Sequence, residues 1–163
     1  MNSARRGGSA ALLLVSLAFV SGRTLAQAPT TSQHHTVVPA DRIQWKPLRP
    51  GAEMAVVSGD PNKEGAPFVL RIRYHGKARI PPHWHPTDEH LTILSGTFRL
   101  GMGERGDEAA TTALAAGAYA FVAAKMAHYA WADGGTTVQV HGIGPFVINY
   151  VNPEDDPKRA GKK

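Results

Sequence analysis

Hydrophobic and polar positions change places along this chain too quickly for helices. Residues 68–74 show it best: Leu70, Ile72 and Tyr74 alternate with Val69, Arg71 and Arg73, the period of a strand with one buried face. Comparable short runs occupy 36–38, 54–58, 89–94, 97–102, 111–114, 117–122, 127–131, 136–141 and 145–150. Turn signals separate them, among them Pro47, Pro50 and Gly51, the triplet Asp60-Pro61-Asn62, and Ser95-Gly96. No segment after residue 26 carries a convincing helical period. About ten short strands with Gly- or Pro-marked turns predict an all-β domain, either an antiparallel sandwich or a barrel.

The first segment breaks the pattern. Arg5 and Arg6 precede an apolar run over residues 10–20, and Thr24-Leu25-Ala26 then places small residues at the two positions a signal peptidase reads. An apolar run of about a dozen residues is too short for the roughly 20 that a bilayer span requires. We expect residues 1–26 to be a signal peptide, the protein to be periplasmic or secreted, and no membrane anchor to remain after cleavage. Arg5-Arg6 also admits a twin-arginine signal, although Gly7, Gly8 and Ser9 match that pattern poorly. Polar residues 27–35 read as a flexible leader, 36–157 as the folded domain and 158–163 as a basic, disordered tail.

Charge then excludes one class of partner. The whole chain carries a formal net charge of +5, but Arg5, Arg6 and Arg23 fall in the first 26 residues, which leaves 15 basic against 13 acidic groups. Lys158, Arg159, Lys162 and Lys163 belong to the tail, so the body has 11 against 13. No basic face for nucleic acid is expected. The absence of cysteine rules out disulfides, thiolate metal sites and cysteine nucleophiles. Gly101, Gly103 and Gly106 satisfy the letter of a dinucleotide-binding G-x-G-x-x-G. They lead through Asp107 and Glu108 into another short strand rather than opening a helix, so a hairpin loop is the better reading.

The chemistry concentrates in Gly76 to Gly96. Pro81, Pro82 and Pro86 forbid a helix there, so the run is extended and residues two apart share a face. His83, His85 and Glu89 all have odd numbers. Two imidazoles about 6.6 Å apart along a strand, at about 3.3 Å per residue, can converge on one ion once the strand twists, and the carboxylate can join them. Asp88 and His90 have the wrong parity for that face.

This segment resembles the first motif of the cupin family: Gly76, six residues, His83-x-His85, three residues, Glu89, six residues, Gly96, where the family usually has five residues before the histidine pair. The second cupin motif is matched at Gly117 and His128. It departs at Ala123, Lys125 and Ala132, where the family has Pro, Gly and Asn. A lysine in a left-handed turn position is costly where glycine is not. The resemblance covers about a third of the chain and implies a cupin-type jelly-roll β-barrel. It adds His128 as the fourth ligand to His83, His85 and Glu89.

Such a set, three neutral imidazoles and a carboxylate, would hold a divalent ion with net charge +1. Four protein ligands fill tetrahedral zinc, whereas iron, manganese, cobalt or nickel in six-coordinate geometry keep two positions open, so chemistry favours iron or manganese. Gln139 and His141 share a face of the strand at 136–141. If that face is interior they belong to a substrate pocket; otherwise they lie on a solvent-facing surface. Tyr119, Phe121, Tyr129 and Trp131 suit either a pocket mouth or plain core. Two functions are compatible with the pattern: a metal-dependent enzyme, dioxygenase- or isomerase-like, acting on a small oxygen-rich molecule, or a non-catalytic ligand- or metal-binding sensor. Strand edges that need cover suggest a homodimer.

Overall fold

The computed structural model describes residues 35–160, which belong to one compact unit. The expected signal peptide and nearly all of the leader, like the last three residues of the tail, lie outside the described residues. Eleven strands dominate: β1 (Lys46–Arg49), β2 (Ala52–Gly59), β3 (Pro67–Tyr74), β4 (Ala78–Trp84), β5 (Glu89–Ser95), β6 (Thr97–Met102), β7 (Thr112–Ala115), β8 (Tyr119–Val122), β9 (His128–Ala132), β10 (Thr137–Ile143) and β11 (Asn149–Tyr150). A single helical turn, α1 (Pro157–Ala160), and three 3-10 turns complete the described chain. No helix among the described residues is long and apolar enough to cross a membrane.

The strands form two antiparallel sheets, ordered β1-β2-β3-β10-β5-β8 and β11-β4-β9-β6-β7. Their inner faces share one core. Leu70, Leu91, Ile93, Val138 and Val140 from the larger sheet meet Phe98, Ala130 and Ala132 from the smaller. The alternation read at 68–74 is therefore correct, with Leu70 and Tyr74 inward. The fold is an all-β jelly roll in one domain. It is not the closed barrel of the sequence expectation, because no ladder joins the two sheets among the described residues.

Gly96 carries the chain from the larger sheet to the smaller. It sits at φ 70°, and a Cβ there would come within 2.6 Å of the Thr136 side chain. Thr136 is fully buried, yet its hydroxyl is satisfied: it donates to Thr97 O at 2.9 Å and accepts from Thr97 N at 3.1 Å. A side chain at position 96 would have to break this clasp. Gly101 lies within β6 opposite Tyr129, and the loop containing Gly103 and Gly106 joins β6 to β7, which pair Phe98 with Leu114, as a hairpin reading requires.

Three expectations change at the ends. Residues 36–38 form no ladder, and Val37 is 80% exposed, so a strand-like composition without a partner remains irregular. β1 contains Pro47 and escaped the sequence pattern; it survives as a sheet edge, where a missing amide donor costs little. Residues 145–148 leave the ladder, and only Asn149–Tyr150 pairs, with Trp84 and His83.

Candidate metal centre

Four polar side chains are buried at the end of the core where β4, β5 and β9 come together: His83, His85, Glu89 and His128, each 2–5% exposed. Burial costs a polar group its water, so each must have another partner. His83 lies in β4 directly opposite His128, the first residue of β9. A register shift between Ile80 and His83 accommodates Pro81 and Pro82, which cannot donate to the ladder. His85 follows the end of β4, and Glu89 opens β5. One ring nitrogen from each histidine lies within 4.8 Å of the other two.

The backbone sets the tautomers. His83 Nδ1 donates to Pro81 O at 2.7 Å, His85 Nδ1 to Val147 O at 2.8 Å, and His128 Nδ1 to Met126 O at 3.1 Å. A carbonyl only accepts, so each Nδ1 carries its proton and each neutral ring presents a lone pair at Nε2. Into this same space comes Glu89. Its Oε1 is 3.6 Å from His85 Nε2 and its Oε2 is 3.2 Å from His128 Nε2, the latter without hydrogen-bond alignment. His85 Nε2 and Glu89 Oε2 have no hydrogen-bond partner at all.

Two buried acceptors without a donor, His85 Nε2 and Glu89 Oε2, set beside two further imidazoles, are unfavourable unless a cation or a proton joins them. The donor set therefore fits a divalent metal: three neutral imidazoles, each held by a carbonyl behind it, with a carboxylate beside two of them. The electrostatics agree. Burial pushes the His83 imidazole down to about 4, with the neighbouring His128 acting in the same direction. His85 is also lowered, chiefly by burial, although Glu89 opposes the shift. Burial raises the Glu89 carboxyl, and it lies below the usual range only because positive charge at His128, His85 and His83, a proton there or a metal in its place, favours the carboxylate.

Asp88 and His90, excluded above by parity, do point elsewhere: Asp88 Oδ1 accepts from Ala124 N at 2.8 Å, and His90 Nδ1 meets Tyr119 Oη at 2.7 Å. Of the two alternatives for Gln139 and His141, the structure selects the outer surface. Their neighbours Val138 and Val140 fill the core, so strand alternation turns them away from it. His141 stacks on His90 at 4.8 Å, and Gln139 accepts from Arg71 Nε at 3.0 Å. Tyr119 is 55% exposed on that same face. Trp131 lies on the outer face of the smaller sheet, edge-on to Tyr129 at 5.7 Å. As a pocket around the four buried groups, Gln139, His141, Tyr119 and Trp131 must be given up.

The true neighbours come from a segment read only as another strand. Phe146 stacks on His85, with ring centroids 4.5 Å apart and planes at 19°, and the Tyr150 ring lies 6.2 Å from that of His83. Val147 supplies the carbonyl behind His85, and Val151 N donates to Pro82 O at 2.9 Å. Nothing in the local sequence marks Phe146 or Val147 as partners of residues some 60 positions earlier. Lys125 does occupy the left-handed turn position: it has φ 64°, and its amide donates to His85 O at 2.8 Å.

Residues 33–147 match the ChrR cupin-like domain. The chain belongs to this cupin family. Its fold also resembles solved cupin structures. The polyketide cyclase RemF from Streptomyces resistomycificus has a TM-score of 0.61 and 14% identity, over 80% of this chain and 94% of the other. An uncharacterised double-stranded β-helix protein from Klebsiella pneumoniae gives 0.52 at 23% identity, over 76% and 95%. Salicylate 1,2-dioxygenase from Pseudoaminobacter salicylatoxidans, bearing gentisate adducts, gives 0.50 at 13%, over 61% of this cupin and 26% of that chain. No curated protein matches the sequence. At such identities the structural likenesses establish the fold alone.

Proposed function

We propose that this cupin is an exported, metal-dependent enzyme acting on a small oxygen-rich molecule, such as a diketone, keto acid, phenol or sugar acid. The observation that carries the reading is the convergence of three backbone-fixed Nε2 lone pairs and the Glu89 carboxylate in one desolvated space. His83, His85, His128 and Glu89 hold the ion, and the carbonyls of Pro81, Val147 and Met126 keep the imidazoles aimed. A divalent ion there supplies Lewis-acid or redox chemistry to a bound oxygen ligand. Iron or manganese suits this role better than zinc, because six-coordination leaves two positions free beside four protein ligands. Support for an enzyme comes from fold neighbours that include a cyclase and a dioxygenase. Support for export comes from Arg5-Arg6, the apolar run and Thr24-Leu25-Ala26.

A second reading, a non-catalytic metal or ligand binder, is favoured by one feature. Phe146 and Val147 lie against His85 and Tyr150 lies beside His83, whereas a cleft of about 320 Å³ is lined by Thr87, Asp88, His90, Ala124 and Ile143 and by none of the four groups. The deciding measurement is elemental analysis of the purified protein, followed by oxygen consumption and product detection with that substrate panel. Bound iron or manganese with turnover supports the enzyme. Bound zinc without turnover on any class supports the binder, and absence of any stoichiometric metal refutes both. Intact mass of the exported protein should begin at Gln27; retention of residues 1–26 in a membrane fraction refutes the export assignment.

A further inference from the structure

A bulge in β1 decides which of its side chains faces the core. Lys46 pairs with Met54 and Pro47 with Glu53, so an unbroken ladder would set Leu48 opposite Ala52. The register instead shifts between Pro47 and Arg49, and Arg49 takes that place. Ala52 pairs in turn with Tyr74 of β3, so Arg49, Ala52 and Tyr74 lie in one row across three strands, on one face of the sheet. Ala52 and Tyr74 are 2% and 5% exposed, so this face is the inner one. A guanidinium turns inward while Leu48 is left 44% exposed. Hydrophobicity alone would choose the reverse, and a bulge that re-aims a side chain against it marks a functional position.

Arg49 stands where the two sheets open. β1 edges the larger sheet and β11 the smaller, and Arg49 Nη1 crosses between the sheets to donate to the Arg79 carbonyl of β4 at 3.2 Å. Its guanidinium carbon is 5.8 Å from the centre of the Tyr74 ring. Among the described residues Arg49 forms no ion pair, whereas Arg73, Arg79 and Arg99 have Glu53, Asp155 and Asp133. Residues 1–34 and 161–163 contain no Asp or Glu side chain to supply one. Tyr74 is unpartnered too: it is buried, and its hydroxyl has no hydrogen-bond partner among the described residues. Burial pushes that hydroxyl up to about 12, with Arg49 opposing the shift and Glu89 and Tyr150 adding to it, so it stays a donor at neutral pH. Tyr74 thus feels both the carboxylate of the metal centre and the free arginine. Tyr150, across the ladder from His83 with its ring 6.2 Å away, feels Arg49 as well.

We infer that Arg49 and the Tyr74 hydroxyl form an anion subsite beside the metal centre, and that the substrate is a small acid, a keto acid or sugar acid, rather than a neutral diketone or a phenol. The inference rests on the reading of the metal centre proposed above and narrows it. A carboxylate accepts from the guanidinium fork and from the phenol, the pairing that arginine geometry favours, and the keto or hydroxyl oxygen on the adjacent carbon faces the histidines. A neutral diketone leaves the arginine without a counter-charge, which is costly once the site is covered.

The test is titration calorimetry of the purified protein, its metal content measured beforehand, with pyruvate and gluconate against the neutral pyruvamide and glucose, each to about 10 mM. The acids should bind at least about tenfold more tightly than their neutral counterparts. Arg49→Gln, whose amide can still donate to the Arg79 carbonyl, should lose at least about tenfold in affinity for the acids at unchanged metal content, and Arg49→Lys should recover part of it. Tyr74→Phe should weaken the acids without lowering the urea midpoint, since no native hydrogen bond is lost. Arg71→Gln, which contacts Gln139 on the outer face, should bind as the wild type does. A protein without metal refutes the centre but not the subsite, which the same titration still reads through its dependence on Arg49. The inference is overturned if neither acid binds at about 10 mM, if pyruvamide or glucose binds as tightly as its acid, or if Arg49→Gln keeps the wild-type affinity for both acids. Loss of metal together with affinity in Arg49→Gln overturns it as well, because Arg49 would then support the centre rather than the ligand.

Discussion

Lowering the pH of the metal-stripped protein should unfold it through His83. In the native state burial and the other histidines hold its pKa at about 4, whereas the unfolded chain restores 6.5. As pH falls below 6.5 the unfolded state takes up a proton that the native state refuses, so stability is present above that value and declines until about 4, below which both states are protonated. At about 1.4 kcal/mol per pH unit, the interval from 6.5 to about 4 corresponds to about 3 kcal/mol from this one residue. For a chain of this length that is a fall in melting temperature of about 6–12 °C. The assay is urea unfolding at pH 7, 6, 5 and 4 in the absence of divalent metal, beside His83→Asn. The asparagine amide can replace Nδ1 as donor to the Pro81 carbonyl but cannot titrate. A lost contact shifts its whole curve, whereas the lost titration flattens it. The two curves should therefore converge by about 3 kcal/mol between pH 7 and pH 4. Curves that remain parallel within about 0.5 kcal/mol would mean that His83 is not held neutral by its surroundings, and the tautomer argument for the site would fail with it.

His85→Ala and His128→Ala should each abolish stoichiometric metal in elemental analysis, while His90→Ala, whose ring contacts Tyr119 and His141 on the outer face, retains it; loss in His90→Ala alone would reverse the assignment. Adding back the native metal at about 100 times its dissociation constant should stabilise the protein by about 2.7 kcal/mol, read as a rise in urea midpoint that chelator reverses. Lys125→Gly should be stabilising, because a left-handed conformation costs a non-glycine residue about 1–2 kcal/mol and glycine returns only about 0.5–1 of it as unfolded-state entropy. The expected net gain is about 0.5–1 kcal/mol in chemical denaturation, and a lower midpoint refutes it.

The strand pattern and the metal spacing belong to the sequence itself. Alternation at 68–74 follows from the two-residue period of an extended chain, and the shared face of His83 and His85 follows from the same period, once three prolines exclude a helix. Those are local properties, so one chain suffices to read them. Glu89 is not on that strand face but opens β5 in the other sheet, beyond a bend at 86–87, so its arrival at the site is tertiary. His128 came from the cupin register, not from spacing, and the structure places it opposite His83 by a ladder between segments 45 residues apart. The rest was decided by tertiary structure. Gln139 and His141 had two faces open to them, and only the position of Val138 and Val140 in the shared core turned them outward. Phe146 and Tyr150 reach the histidines because residues 145–150 return across β4, a return that depends on contacts with Pro82 and His83 rather than on local preference. Whether the two sheets close was likewise out of reach: alternation tells which side of a strand is buried, but closure depends on which edges find partners, and no single strand encodes that.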